Sequence, residues 1–342
     1  MTTQSIDSEI KATLDSLFGG KDTSENTSNS NKPTFAELRE QGNGLYSLSP
    51  KFDPEKDYKG TLHDIVTKEI TIRSFDGYPI PAKLYQTANG KSARPILFYT
   101  HGGGYFSGNL EYHDSYLNLL SRMTGFSVLS YNYRLCPEYA FPVPFKDGVS
   151  CLKYLIDNAS ELGIDKQRVL LMGDSAGAGI TAGLASYCSV HKIPIRKQYL
   201  IYPAFNPLTV GAEPGNARHE LLKKVATWSY ESNQVMYEGL FGKENFERYL
   251  VNKDENDLLG EDAIFFPYLK DDLTGFPETV IEMGDMDIFY DECLDFYGRL
   301  KANGVKSDFI EFKGYVHAYD TLLSKKTIMK IVEKRAQELE RM

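Results

Sequence analysis

A short apolar run, Arg168-Val-Leu-Leu-Met172, leads straight into Gly173-Asp174-Ser175-Ala176-Gly177, and an Ala- and Gly-rich segment with helical spacing follows over 178–188. Few folds accommodate that order. A buried strand has to turn into a helix over one residue, and only small side chains on both sides let the two elements approach closely enough. Such a turn lifts the serine hydroxyl clear of a sheet, and strand, G-x-S-x-G, helix is the context that marks a nucleophile elbow. A plain glycine-rich turn would also use small residues, so the rest of the chain has to decide.

A second glycine run, His101-Gly-Gly-Gly-Tyr105, follows another strand-like stretch, Arg94-Pro-Ile-Leu-Phe-Tyr-Thr100. Three consecutive glycines are entropically expensive and are expected where backbone must come close to a partner. In acyl transfer that partner is the oxyanion of a tetrahedral intermediate, held by backbone N–H groups. A flexible loop would explain the glycines but not their place at a strand end upstream of the elbow.

His101-Gly-Gly-Gly-Tyr105, then Tyr133-Arg-Leu-Cys-Pro-Glu-Tyr-Ala-Phe-Pro142, then the elbow, together resemble the bacterial hormone-sensitive-lipase-like esterases of the α/β-hydrolase superfamily. The resemblance covers roughly residues 65–320. Cys136 stands where the family usually has alanine, and Tyr139-Ala140 where it has a His-Pro pair. What the resemblance implies is an α/β-hydrolase fold, with a mostly parallel eight-stranded sheet flanked by helices and a helical cap. It implies a serine carboxylesterase that needs no cofactor and acts on a small-molecule ester, and it suggests a homodimer. The family's HGGG motif carries oxyanion-binding N–H groups over to Gly103 and Gly104; the elbow geometry adds that of Ala176.

A serine hydrolase also needs a base and a group to orient it, in the chain order Ser, acid, His, each at the carboxyl end of a strand. His317 lies just after the strand-like 307–312, whereas His219 sits in a polar insertion between Arg218 and Glu220 and fits no strand end. For the acid, strand 279–283 runs into Gly284-Asp285-Met286-Asp287, and both aspartates are open on residue type alone. The family's usual Asp-Pro-Leu-Arg-Asp-Glu aligns Asp287 with the catalytic acid, with Ile288 in place of proline. Asp291 reads as a helix-start residue, where an acid suits the positive end of the dipole. The expected triad is therefore Ser175, Asp287 and His317.

The chain has 342 residues, 42% of them hydrophobic, enough for one large α/β core and a modest extra module. A net charge of −9 without a basic cluster argues against nucleic acid and against an anionic membrane surface. Cys136, Cys151, Cys188 and Cys293 show no C-x-x-C spacing and read as reduced core residues of a cytosolic protein. The six histidines are scattered without H-E-x-x-H, so no metal is expected. The N-terminus lacks the basic and apolar regions of a signal peptide, which again suggests the cytoplasm.

Strands are expected at 65–74, 78–86, 94–100, 127–134, 168–172, 198–202, 279–283 and 307–312, the first two joined as a hairpin by Asp76-Gly77. From the third onward they alternate with helices, including 145–158 and 292–303, which predicts a doubly wound parallel sheet. Ile6, Ile10, Leu14 and Leu17 have helical spacing; a polar linker over 19–32 follows, including the formal acceptor Asn26-Thr-Ser28, and a second helix begins near Pro33. The chain thus divides into an N-terminal cap segment and linker (1–64), a core (65–202 with 270–342) and an inserted cap (203–269). A helix over 220–238 carries Trp228, Tyr230 and Tyr237, with Phe241 just beyond; they either line an acyl pocket or pack the cap. The closing helix, 328–341, reads as charged and amphipathic, its charge run a solvated face. Gly177-Ala-Gly179-Ile-Thr-Ala182 fits a dinucleotide fingerprint, but the following strand ends in Pro203-Ala-Phe-Asn206 with no acid for a ribose.

Overall fold

Eight strands form one sheet in the computed structural model, which describes residues 5–18, 32–88, 93–209, 211, 216–252 and 259–341. The strands are β1 (Ile65–Arg73), β2 (Pro79–Thr87), β3 (Arg94–Thr100), β4 (Ser127–Tyr131), β5 (Ile164–Asp174), β6 (Lys197–Ile201), β7 (Glu278–Gly284) and β8 (Ser307–Phe312). Their spatial order is β1-β2-β4-β3-β5-β6-β7-β8. β1 and β2 are antiparallel across a turn at Gly77 (φ 84°), β2 pairs antiparallel with β4, and every later pairing is parallel. The central strands β4 and β6 are buried at every residue, as a sheet covered by helices on both faces requires. This is the mostly parallel, doubly wound sheet that the sequence predicts.

β5 begins at Ile164 rather than 168, and β4 stops at Tyr131 rather than 134. Arg134 leaves the sheet because its guanidinium has partners elsewhere. It pairs with buried Asp147 (Nη2–Oδ1 2.6 Å, Nε–Oδ2 2.9 Å) and with Asp76 in the hairpin turn (2.6 Å).

The helices are α1 (Ser8–Phe18), α2 (Phe35–Ser47), α3 (Leu110–Thr124), α4 (Val143–Asp157), α5 (Ala176–His191), α6 (Ala217–Val225), α7 (Tyr230–Phe241), α8 (Lys243–Asn252), α9 (Tyr290–Ala302) and α10 (Lys325–Glu340). In α1, Ile10 and Leu14 are buried while Leu17 is exposed. Most of the expected linker, with Asn26, lies outside the described residues. Thr34 and Glu37 close a capping box at the start of α2, which fixes where that helix enters.

Two expectations are corrected. The single helix over 220–238 is two helices, α6 and α7, separated at 226–229. Ser229 caps α7 by accepting from Ser232 N–H, and Thr227 donates its hydroxyl to the His317 carbonyl at 2.9 Å. Tertiary hydrogen bonding overrides the helical periodicity there. The charge run of the amphipathic closing helix α10 is not wholly a solvated face: Arg335 is 1% exposed and pairs with buried Glu282 of β7 (2.6 Å) and with Asp320 (2.9 Å). The four cysteines are free and buried. Among the described residues no helix is long and apolar enough to cross a membrane.

Candidate active site

Ser175 occupies the turn between β5 and α5 with φ 52° and ψ −126°, a strained conformation for a residue with a side chain. The surrounding glycines are a steric necessity. A Cβ on Gly177 would lie 2.3 Å from the Thr100 and His101 carbonyl oxygens, and one on Gly179 2.3 Å from the Ala204 oxygen. The elbow is thereby pressed against the end of β3, where the glycine-rich loop begins.

The structure brings the three expected residues into line. Ser175 Oγ is 2.8 Å from His317 Nε2, and His317 Nδ1 is 2.7 Å from Asp287 Oδ2. Asp287 Oδ1 accepts the Phe289 N–H at 3.0 Å, which orients the carboxylate. All three side chains are buried. Each follows the carboxyl end of a parallel strand: Ser175 after β5, Asp287 after β7, His317 after β8.

Asp285 sits in the same loop but does another job: its Oδ1 accepts the Gly314 N–H at 2.6 Å, tying the β7 and β8 loops together. His219 lies on α6 and pairs with Asp291, in the first turn of α9, at 3.1 Å. It is not brought to Ser175.

The loop 101–107 folds back on itself. The Gly103 carbonyl accepts from Phe106 N–H (3.1 Å), Ser107 N–H (2.9 Å) and Ser107 Oγ (3.0 Å), with Gly103 at φ 111° and Gly104 at φ 60°. Only glycine takes up both angles at low cost. Gly103 and Gly104 therefore lie in this loop, and Ala176 opens α5 beside Ser175.

Asp174 fastens the loop to the elbow. Its Oδ1 accepts from Gly102 N–H (2.9 Å) and Tyr99 OH (2.7 Å), and its Oδ2 from Tyr46 OH (3.2 Å). Burial opposes its charge, but neighbouring His113 and the Tyr99 hydroxyl outweigh that and hold it down at about 2. His101 stacks on Tyr133, ring centroids 4.4 Å apart, and burial lowers it to about 4, so it is neutral at neutral pH.

Thr227, Tyr202 and Phe289 support this arrangement and were not singled out by sequence reasoning, whereas Trp228 was. Thr227 holds the backbone of His317. Trp228 stands 6.2 Å from His317 and 6.2 Å from Phe106, ring to ring, while Tyr202 and Phe289 each meet His317 edge-on at 5.1 Å. Tyr237 and Phe241 instead pack among Phe246 and Phe266. Glu292, in the first turn of α9, is buried and accepts from Phe205 and Asn206 N–H (3.1 and 3.3 Å) and from the Thr209 hydroxyl. Among the described residues no group of three or more His, Cys, Asp and Glu could hold a metal ion.

Known proteins share this architecture. A family model described as the α/β-hydrolase fold matches residues 97–321. An arylesterase of Saccharolobus solfataricus is 27% identical over 292 residues, which cover 84% of this chain and 85% of that one. The arylacetamide deacetylase of Bos taurus is 30% identical over 322 residues, 80% of this chain and 78% of its own. The solved structure of a bacterial heroin esterase superposes with a TM-score of 0.79 at 22% identity, covering 98% of both chains, and speaks for the fold. The matched stretch runs from β3 past His317 and takes in the glycine-rich loop, the elbow and both later strand ends, so the chain belongs to the hormone-sensitive-lipase-like family of α/β hydrolases.

Proposed function

We propose that the protein is a serine carboxylesterase that hydrolyses short-chain acyl esters through Ser175, His317 and Asp287. The observation that carries this is the unbroken line of contacts from Ser175 Oγ to His317 Nε2 (2.8 Å) and from His317 Nδ1 to Asp287 Oδ2 (2.7 Å). In this reading His317 takes the serine proton as Oγ attacks the ester carbonyl. Asp287 keeps the imidazole in the tautomer whose Nε2 is free to accept, and stabilises it once charged. The N–H groups of Gly103, Gly104 and Ala176 receive the oxyanion. His317 then returns the proton to the departing alcohol, leaving the acyl group on Ser175. Water, deprotonated by the same imidazole, cleaves that acyl-enzyme and regenerates the hydroxyl. The proton count closes within Ser175 and His317, and no cofactor enters.

The short-chain preference rests on what lies over the site. The N-terminal segment (1–64) and the insertion (203–269) are read as one cap: Phe35 of α2 packs on Gly239 of α7 so closely that a Cβ there would lie 2.0 Å from the ring, and Lys32 pairs with Glu238. Phe35 also meets Phe106 edge-on at 4.9 Å, next to the Phe106–Trp228 pair. We read such a roof as leaving limited room. Each methylene of the acyl chain contributes up to about 0.8 kcal/mol while space remains and clashes once it is gone, so efficiency should peak at roughly two to six acyl carbons. The four buried free thiols suit a reducing compartment, and we read the setting as the cytoplasm.

A series of p-nitrophenyl esters from acetate to laurate tests both parts. An early peak with collapse at long chains is expected, together with loss of activity in Ser175→Ala and labelling of Ser175 alone by an organophosphonate. Activity still rising at twelve acyl carbons would replace the esterase reading with a lipase one. One observation favours an amide-cleaving variant of the same mechanism, the 30% identity to an arylacetamide deacetylase. Paired phenyl acetate and acetanilide assays separate the two.

A further inference from the structure

We infer that Arg39 and Tyr46, two turns apart on α2, are positioning residues that clamp the oxyanion loop at both ends. The inference rests on the reading of Gly103 and Gly104 as oxyanion donors. A loop built on consecutive glycines has little conformational preference of its own, yet such donors work only when already aimed at the developing charge. Something outside the loop must fix it.

One stripe of α2 supplies the fixing. Arg39 Nε donates to the Phe106 carbonyl at 2.8 Å, and its Nη2 to the Cys136 carbonyl at 2.6 Å, while both terminal nitrogens grip Glu138 at 2.6 Å. Phe106 in turn donates its N–H to the Gly103 carbonyl, so Arg39 holds the exit of the turn that aims Gly103 and Gly104. Cys136 N–H also donates to the Tyr105 carbonyl at 2.9 Å, which locks a third point to the same guanidinium. At the entry, Tyr46 OH donates to Asp174 Oδ2, and Asp174 Oδ1 takes the Gly102 N–H. Between them Gly42 lies so close that a Cβ would stand 2.5 Å from Ser107 Oγ, the hydroxyl that donates to the Gly103 carbonyl.

Positions 39, 42 and 46 share one helix face, and seven residues of helix span about 10 Å. The outer face of α2, with Ala36, Glu40, Gln41 and Asn43, is exposed. A surface ion pair between Arg39 and Glu138 could by itself contribute little. The two backbone carbonyls that the same guanidinium also binds are what give it a hold on the loop.

The test uses the full-length protein with p-nitrophenyl butyrate, each preparation titrated for active sites with an organophosphonate so that unfolded material drops out of kcat. Arg39→Gln, Arg39→Lys and Tyr46→Phe are compared with Gln41→Ala on the outer face. Displacement of a reacting group by about 1 Å can cost a hundredfold, so Arg39→Gln should lower kcat per active site by about ten- to a hundredfold. Its KM should stay within about threefold, the signature of an interaction made only in the transition state. Inhibition by a trifluoromethyl ketone, which forms an oxyanion on the serine, should weaken by the same factor as kcat/KM falls. Arg39→Lys should recover part of the loss, and Tyr46→Phe should lose severalfold in the same pattern. If Arg39→Gln does not fold, the lysine and phenylalanine variants carry the comparison.

Values of kcat and ketone inhibition indistinguishable from Gln41→Ala, or a loss confined to KM, would overturn the clamp. A wild-type protein that neither labels at Ser175 nor turns over the ester would overturn the triad reading beneath it.

Discussion

Replacing Asp287 by asparagine is the sharpest perturbation the site offers, because it changes one charge and almost no shape. Asp287 is fully buried, with Oδ1 taking the Phe289 N–H and Oδ2 facing His317 Nδ1 at 2.7 Å. An asparagine keeps its carbonyl on the Phe289 donor and turns its amide toward the imidazole. Nδ1 must then accept, the ring proton moves to Nε2, and Nε2 can no longer take the proton from Ser175 Oγ. A wrong tautomer of this kind costs about four orders of magnitude in turnover, which is about 5.5 kcal/mol at about 1.4 kcal/mol per decade. Asp285→Asn is the matched comparison. Its Oδ1 can still accept from Gly314, and all it gives up is a 3.6 Å approach to Lys313, whose side chain is 71% exposed. The long approach to a lysine that stays in solvent is worth little, and Asp285 bonds to neither Ser175 nor His317, so turnover should stay within a few-fold of wild type. Single-turnover acylation of p-nitrophenyl butyrate, with melting curves to show that both variants are folded, provides the measurement. An Asp287→Asn enzyme that keeps a tenth of its rate, or an Asp285→Asn enzyme that loses as much, would refute this account of how the imidazole is oriented.

Other outcomes follow from the packing around the site. Burial, with the charge of Asp287 adding to it, raises Glu292 to about 8 from an ordinary 4.5, so the native state keeps a proton that the unfolded chain has lost between those values. The unfolded chain binds fewer protons there, so this contribution to stability is complete below about 4.5, falls as pH rises toward about 8 and then levels, by on the order of a few kcal/mol. Glu292→Gln should flatten that slope, and the gap between variant and wild-type melting temperatures should widen in the variant's favour from pH 5 to pH 9. Arg335→Met removes the counter-charge of buried Glu282 and should cost about 3–5 kcal/mol in urea unfolding. Gly177→Ala drives a methyl into the Thr100 and His101 carbonyls, so soluble protein should be lost, or recovered without phosphonate labelling.

Much of this site could be read from the chain because it is written locally. Strand β5, the elbow and α5 are consecutive, and their small residues state the turn outright. His317 could be chosen because strand order fixes where a base belongs, and Asp287 because a family spacing separates it from Asp285. What escaped is tertiary. Arg39 meets Phe106 across 67 positions and Tyr46 meets Asp174 across 128, and neither carries a mark in its own surroundings. A helix reads continuously over 220–238, and the hydroxyl of Thr227, drawn to the His317 carbonyl, shows why it parts at 226–229. Arg335 looks like one more charge on a charged helix until β7 supplies Glu282 beneath it. Local propensity describes elements; the partners that bend or anchor them come from elsewhere in the fold.

The four buried cysteines give the molecule reporters of its own breathing. A disulfide reagent reacts with thiolate, and burial pushes all four thiols up while keeping solvent away, so modification in the native state has to wait for a local opening. The four lie in different neighbourhoods: Cys136 behind the glycine-rich loop, Cys151 in α4, Cys188 near the end of α5 and Cys293 in α9. Single-cysteine versions of the enzyme would therefore resolve four separate opening reactions by their exchange rates, without any attached dye. Cys136, bonded through its backbone to Tyr105 and Arg39, would register the moments when the loop beside Ser175 lets go.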